Sequence, residues 1–141
     1  MIAGIGIDVV DLDRFERSIR RTPALVERLF AESERGRSPR SLAARFAAKE
    51  ALIKALGGHA VLRWQEMRVV QDADGNPGFE VSGGLAAHLE ALGIDHLHLS
   101  MSHDAGIASA IVVLERSGPG PHRADASNEH DDASRGNGAG E

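Results

Sequence analysis

Arg45-Phe46-Ala47-Ala48-Lys49-Glu50-Ala51-Leu52-Ile53-Lys54-Ala55-Leu56-Gly57 is the stretch around which the rest of the chain is arranged. Its richness in Ala, Leu, Lys and Glu, the lack of proline and the closing Gly57-Gly58 predict a helix with a glycine stop. At about 100° per residue, Leu42, Phe46, Ile53 and Leu56 share one face, the expected core face. Glu50, Lys54 and Gly57 fall on a neighbouring stripe above Ala43 and Ala47. That small-residue face is expected to let a large polar ligand lie against the helix. The plainer reading is a solvated i, i+4 Glu–Lys pair worth a few tenths of a kcal/mol, and the first ten residues decide between the two.

Met1 to Val10 alternates as a strand, with Ala3, Ile5, Ile7 and Val9 on one face and Gly4, Gly6 and Asp8 on the other. Two glycines weaken a strand and call for the close approach of a ligand or of another backbone. Gly-x-Gly-x-Asp is too short for a dinucleotide fingerprint. Alone, Asp8 reads as a strand-end cap as readily as a metal ligand.

The chain has 141 residues, no cysteine and a net charge of -5. It is long enough for one cored domain and carries no disulfide or thiolate site. No apolar run reaches membrane-spanning length, and the N-terminus lacks a basic signal-peptide region, so a cytoplasmic location is expected. From Ser117 onward, five acids face two arginines. The remaining body is nearly balanced, which excludes a general nucleic-acid binder. Its arginines nevertheless crowd at Arg14, Arg17, Arg20, Arg21 and Arg28.

Asp11 or Asp13 caps a first helix to about Arg21, with Leu12, Phe15 and Ile19 inward and Arg14, Arg17 and Arg21 outward. The arginine stripe is either a solvated face or a dock for an acidic helix. Thr22-Pro23 opens a short second helix through Phe30, and Glu32 to Ser41 reads as a polar loop. Strands are expected at Met67 to Asp72 and Gly78 to Val81, joined by Asp74-Gly75-Asn76-Pro77. Ser82 is expected to cap a helix carrying Leu85, Leu89 and Leu92. His96 to His103 alternates and turns at Asp104-Ala105-Gly106 into a buried strand from Ile107 to Leu114. His96 and His98 point the same way, as half of a zinc site would, yet no third ligand is evident. His103 stands beside a turn, where functional side chains collect. Residues 1–116 form the domain. Residues 117–141, polar and without periodicity, are expected to be a disordered tail.

Ile5-Gly6-Ile7-Asp8, Arg45 to Ala51 with Lys54-Ala55, and Ser100-Met101-Ser102-His103, in that order, resemble holo-acyl-carrier-protein synthase. This is the small bacterial class of 4'-phosphopantetheinyl transferases, and the resemblance spans roughly Met1 to Glu115. It implies an α+β fold, an antiparallel sheet of about five strands packed on the long central helix, in a homotrimer with active sites between subunits. It also implies transfer of the phosphopantetheine arm of coenzyme A to a serine of apo acyl carrier protein, with Mg²⁺, in fatty acid biosynthesis. On that resemblance Asp8 and Glu50 are the Mg²⁺ ligands, and Lys54 neutralises the pyrophosphate. Arg45, Lys54, Gly57 and His103 bind coenzyme A, with His103 acting across a subunit boundary, while Arg14 and Arg21 dock the acidic carrier. The serine proton goes to Glu50 or to a water held by the metal, and both routes stay open. The basic segment between Glu34 and Leu42 and the tail depart from the family pattern. Rival readings are the same chemistry on a secondary-metabolism carrier, a non-catalytic coenzyme A-binding protein, and a zinc protein using His96 and His98.

Overall fold

The computed structural model describes residues 1–58 and 63–118; the expected tail therefore lies outside the described residues from residue 119 onward. Strands β1 (Ile2–Asp11), β4 (His96–Asp104) and β5 (Ile107–Glu115) form an antiparallel sheet in the order β1-β5-β4. Strands β2 (Met67–Gln71) and β3 (Pro77–Val81) form a separate antiparallel pair, with β3 approaching β4. The five expected strands are thus split between two sheets. The helices are α1 (Leu12–Arg21), α2 (Ala24–Leu29), α3 (Glu32–Arg35), the long α4 (Pro39–Ala55) and α5 (Gly83–Ala91), and α4 packs on β1 and β5 and against α1.

Helix α4 begins earlier than its sequence motif. Ser38 Oγ accepts the Ser41 amide at 3.3 Å, and Pro39 takes a first-turn position where its missing N–H has no cost. At the other end the Gly57 and Gly58 amides close on Lys54 and Ile53 carbonyls, and Gly57 adopts a φ of 82° that favours glycine. The expected polar loop of Glu32 to Ser41 therefore contains α3 and the first turn of α4.

The expected core face of α4 is a correction. Phe46, Ile53 and Leu56 are only partly buried, and only Leu42 of that set is buried. Ala43, Ala47, Ala51 and Ala55, four residues apart, are the buried stripe, so the alanines are core while Glu50, Lys54 and Gly57 stay at its edge. The glycines of β1 explain why. A Cβ on Gly6 would stand 1.9 Å from the Ala51 carbonyl oxygen, and one on Gly4 2.2 Å from that of Ala55. Helix and strand meet backbone to backbone, which small residues permit and large ones prevent. Of the two reasons the sequence left open for these glycines, the second backbone is the one found.

The sheet's inner face carries Gly4, Gly6, Asp8 and Val10 of β1 against Val112, Ala110 and Ala108 of β5. Its outer face carries Ile5, Ile7, Val9 and Ile111, all exposed. Around the core, Asp11 Oδ1 accepts the Arg14 amide at 2.7 Å to cap α1, with Phe15 buried and Leu12 and Ile19 partly so. Ser82 holds the N-cap position of α5 without a side-chain bond. The carboxylate of Glu66 accepts the Leu85 amide at 3.0 Å in its place.

Candidate active site

Register on β1 decides which of its residues meet α4. Gly4 and Gly6 bring the strand against the helix, and two residues on, Asp8 faces the last turns of α4. There Lys54 Nζ donates to Asp8 Oδ1 at 2.7 Å and to the Ile7 carbonyl at 3.1 Å. Lys54 therefore crosses to the strand instead of pairing with Glu50 one turn earlier, which sets aside the solvated-pair reading. Glu50 is half-buried in the same corner. Burial, and then the Asp8 charge, raise its proton affinity above the ordinary carboxylate range, while Lys54 opposes them.

Asp8, Glu50 and Arg14 share the lining of a cavity of about 450 Å³ between β1, α1, α2 and α4. Phe15, Leu25 and Phe46 give it an apolar wall. Among the described residues no group of three or more acidic or histidine side chains is placed to hold a metal. Two converging carboxylates on an open cavity instead suit a hard dication that keeps phosphate and water ligands, as Mg²⁺ does.

Arg45 and His103 lie elsewhere. They line a second cavity of about 440 Å³ with Ser38, Arg40, Ser41 and Met101, and the two cavities have no lining residue in common. Arg40 Nη2 lies 3.0 Å from His103 Nδ1 and is the donor, which assigns the ring proton to Nε2. Arg45 is buried, and its Nη1 donates to Ser41 Oγ at 2.5 Å. Its Nε and Nη2 have no hydrogen-bond partner. Burial, then Arg37, weaken its hold on the proton, with Glu34 opposing. Gly57 is exposed at the C-terminal end of α4, and Arg14 and Arg21 are exposed on α1.

A buried polar knot supports these groups. Lys49 Nζ, fully buried, donates to Glu34 Oε2 at 2.8 Å, the Leu29 carbonyl at 2.7 Å and the Trp64 carbonyl at 3.2 Å. The Glu34 carboxylate also accepts the amides of Ala31 and Val69 and stands 4.0 Å from Arg45 Nε. One carboxylate thus gathers two buried cations, the start of its own helix and strand β2. Sequence reasoning gave Glu34, Lys49 and Arg40 no role. The signal was present for Lys49, because Arg45 and Lys49 fall in register with Leu42 and Leu52 on one helical stripe.

His96 and His98 project together from β4, but His98 Nε2 lies 2.8 Å from Glu115 Oε2 and His96 Nε2 lies 3.1 Å from Ser117 Oγ. These nitrogens are engaged by side chains at the strand ends.

Residues 4–108 match the family model of the 4'-phosphopantetheinyl transferase superfamily. The holo-[acyl-carrier-protein] synthase of Clavibacter sepedonicus is 62% identical over 118 residues, covering 84% of this chain and 99% of that protein. The corresponding synthase of Leifsonia xyli is 61% identical over 116 residues, covering 82% and 98%. Among solved structures, the synthase of Neisseria meningitidis superposes with a TM-score of 0.77 at 35% identity, covering 82% of this chain and all of that one. The Helicobacter pylori synthase, solved in complex with coenzyme A, gives 0.70 at 32% identity, covering 79% and 99%. The chain belongs to the 4'-phosphopantetheinyl transferase superfamily and, within it, to the holo-[acyl-carrier-protein] synthases, so it is an enzyme of the transferase class.

Proposed function

We propose that the protein transfers the 4'-phosphopantetheine arm of coenzyme A to a serine of apo acyl carrier protein, in a Mg²⁺-dependent step of fatty acid biosynthesis. The observation that carries this reading is that Asp8 and Glu50 line one cavity with Arg14 while Lys54 reaches Asp8 from the end of α4.

Asp8 and Glu50 would hold the Mg²⁺. The residues fit it, since Asp8 and Glu50 line one cavity and supply the two carboxylates that suit a dication keeping phosphate and water ligands. When bound, Mg²⁺ neutralises the pyrophosphate oxygens and steadies the leaving group. The serine oxygen forms a bond to the phosphorus that carries the pantetheine, and the bridging P–O bond breaks. Adenosine 3',5'-bisphosphate leaves with that electron pair. The serine proton passes to Glu50 or to a water beside it. Lys54, half-exposed on a flexible stem, moves its charge to the phosphates. Positioning and charge neutralisation account for catalysis of this kind.

Arg45 and His103 bind the nucleotide end of coenzyme A, with the second cavity as its seat, and Gly57 lets the ligand pass the end of α4. Because the two cavities are separate within one chain, a homotrimer that places the His103 side of one subunit beside the Asp8 side of its neighbour completes the site. The exposed outer face of Ile5, Ile7, Val9 and Ile111 supports such an assembly, since an apolar patch of this kind favours burial in an interface. Arg14 and Arg21 on α1 dock the acidic carrier beside the carboxylates. Among the described residues no helix is long and apolar enough to cross a membrane, and a cytoplasmic enzyme meeting dissolved coenzyme A and carrier is the setting we propose.

The test is the intact mass of apo acyl carrier protein incubated with the enzyme, coenzyme A and Mg²⁺, beside a chelated sample and a secondary-metabolism carrier. A gain of one phosphopantetheine arm that needs the metal and favours the fatty-acid carrier supports the reading. Coenzyme A binding without any mass gain on either carrier overturns it.

A further inference from the structure

Asp8 already has a cation. Lys54 Nζ lies 2.7 Å from Asp8 Oδ1 and is steadied by the Ile7 carbonyl, although its own helix offers Glu50 one turn away. Asp8 is mostly buried, at 14% side-chain exposure, whereas Lys54 is 52% exposed. The carboxylate is held in place while the ammonium, on a four-carbon stem, is free to swing. A hard dication seated on Asp8 needs an oxygen within about 2.1 Å, which leaves it and the ammonium competing for one small space.

We propose that Lys54 is a resident counter-cation of Asp8, which a divalent metal must displace, and that the ligand's pyrophosphate draws Lys54 away. Metal and pyrophosphate then bind cooperatively, because each removes an obstacle to the other. The phosphates give the ammonium a better partner than one carboxylate, and Asp8 is released to the metal. Linkage makes the effect reciprocal: coenzyme A tightens metal binding by the factor by which metal tightens coenzyme A. This inference rests on the reading of Asp8 and Glu50 as metal ligands and adds the coupling to it. A single charge a few ångströms from a dication, partly screened by water, is worth about tenfold in metal affinity.

The experiment measures Mn²⁺ binding by electron paramagnetic resonance on the full chain, without nucleotide and then with saturating coenzyme A. The variants are Lys54→Gln, Lys54→Arg and Asp8→Asn. Without coenzyme A, Lys54→Gln is expected to bind Mn²⁺ about tenfold more tightly than the wild type, and Lys54→Arg like the wild type. Coenzyme A is expected to tighten Mn²⁺ binding in the wild type and to do so much less in Lys54→Gln. Mn²⁺ binding that depends on Asp8 but is equal or weaker in Lys54→Gln overturns the counter-cation alone. Absence of Asp8-dependent binding in every variant, with and without coenzyme A, overturns both this inference and the metal site on which it rests.

Discussion

Gly6→Ala tests the contact that brings the two carboxylates together. The added Cβ would lie 1.9 Å from the Ala51 carbonyl oxygen and 2.6 Å from the Ala55 amide nitrogen. Both are helix backbone, so no side chain can turn aside. Ordinary contact begins near 3.4 Å, so β1 and α4 must part by about 1.5 Å at this point. Overpacking of a tight core costs about 1–3 kcal/mol, and here the upper end is expected because backbone must yield. For a domain of this size that is a fall of roughly 10 °C in melting temperature. Asp8 lies two residues further along the same strand, so the same shift moves it relative to Glu50 and Lys54. A 1 Å misplacement of reacting groups costs about 100-fold in rate. Calorimetry and phosphopantetheine transfer are the assays, with Gly78→Ala as control because nothing lies within 4 Å of a Cβ there. Gly6→Ala with unchanged melting temperature and unchanged transfer, alongside a neutral control, would refute the backbone-contact argument.

Three further outcomes are expected. Glu34→Gln leaves Lys49 and Arg45 buried without their shared anion and should cost about 3–5 kcal/mol in urea unfolding; a loss near zero contradicts the buried knot. Glu50 holds its proton more strongly folded than unfolded, so the unfolded chain binds fewer protons in the interval above the ordinary value of 4.5. Stability therefore falls as pH rises through that interval, and a melting series from about pH 4 to about pH 8 should be flatter for Glu50→Gln, which is also the more stable above it. Carrier affinity, measured by titration calorimetry, should weaken as salt rises and lose most of that dependence in Arg14→Ala/Arg21→Ala; indifference to salt in the wild type removes the docking role.

Much of this was legible in the sequence. Alternation placed Asp8 with Gly4 and Gly6 on one face of β1, and the helical repeat of α4 placed Glu50 and Lys54 one turn apart. What those patterns did not carry was depth. Hydropathy weights Phe46, Ile53 and Leu56 above alanine, yet the backbone contact at Gly6 makes the alanine stripe the buried one. Glu34 and Lys49 were passed over for the related reason that a charged residue reads as exposed unless its partner is known. That partner lies 15 residues away, on an element too short and polar to announce itself. Lys54 pairs with Asp8 across 46 positions, and no local pattern reports such a contact. The separation of Arg45 and His103 from the carboxylate corner is likewise a property of the packed chain.

The most direct test of the central claim separates binding from chemistry at Glu50. Intact-mass measurement of apo carrier protein after incubation with coenzyme A, Mg²⁺ and either wild type or Glu50→Gln should be read beside coenzyme A binding to both. The account predicts one phosphopantetheine added by the wild type, essentially none by Glu50→Gln, and both proteins folded and able to bind coenzyme A. Transfer by Glu50→Gln at the wild-type rate would contradict it.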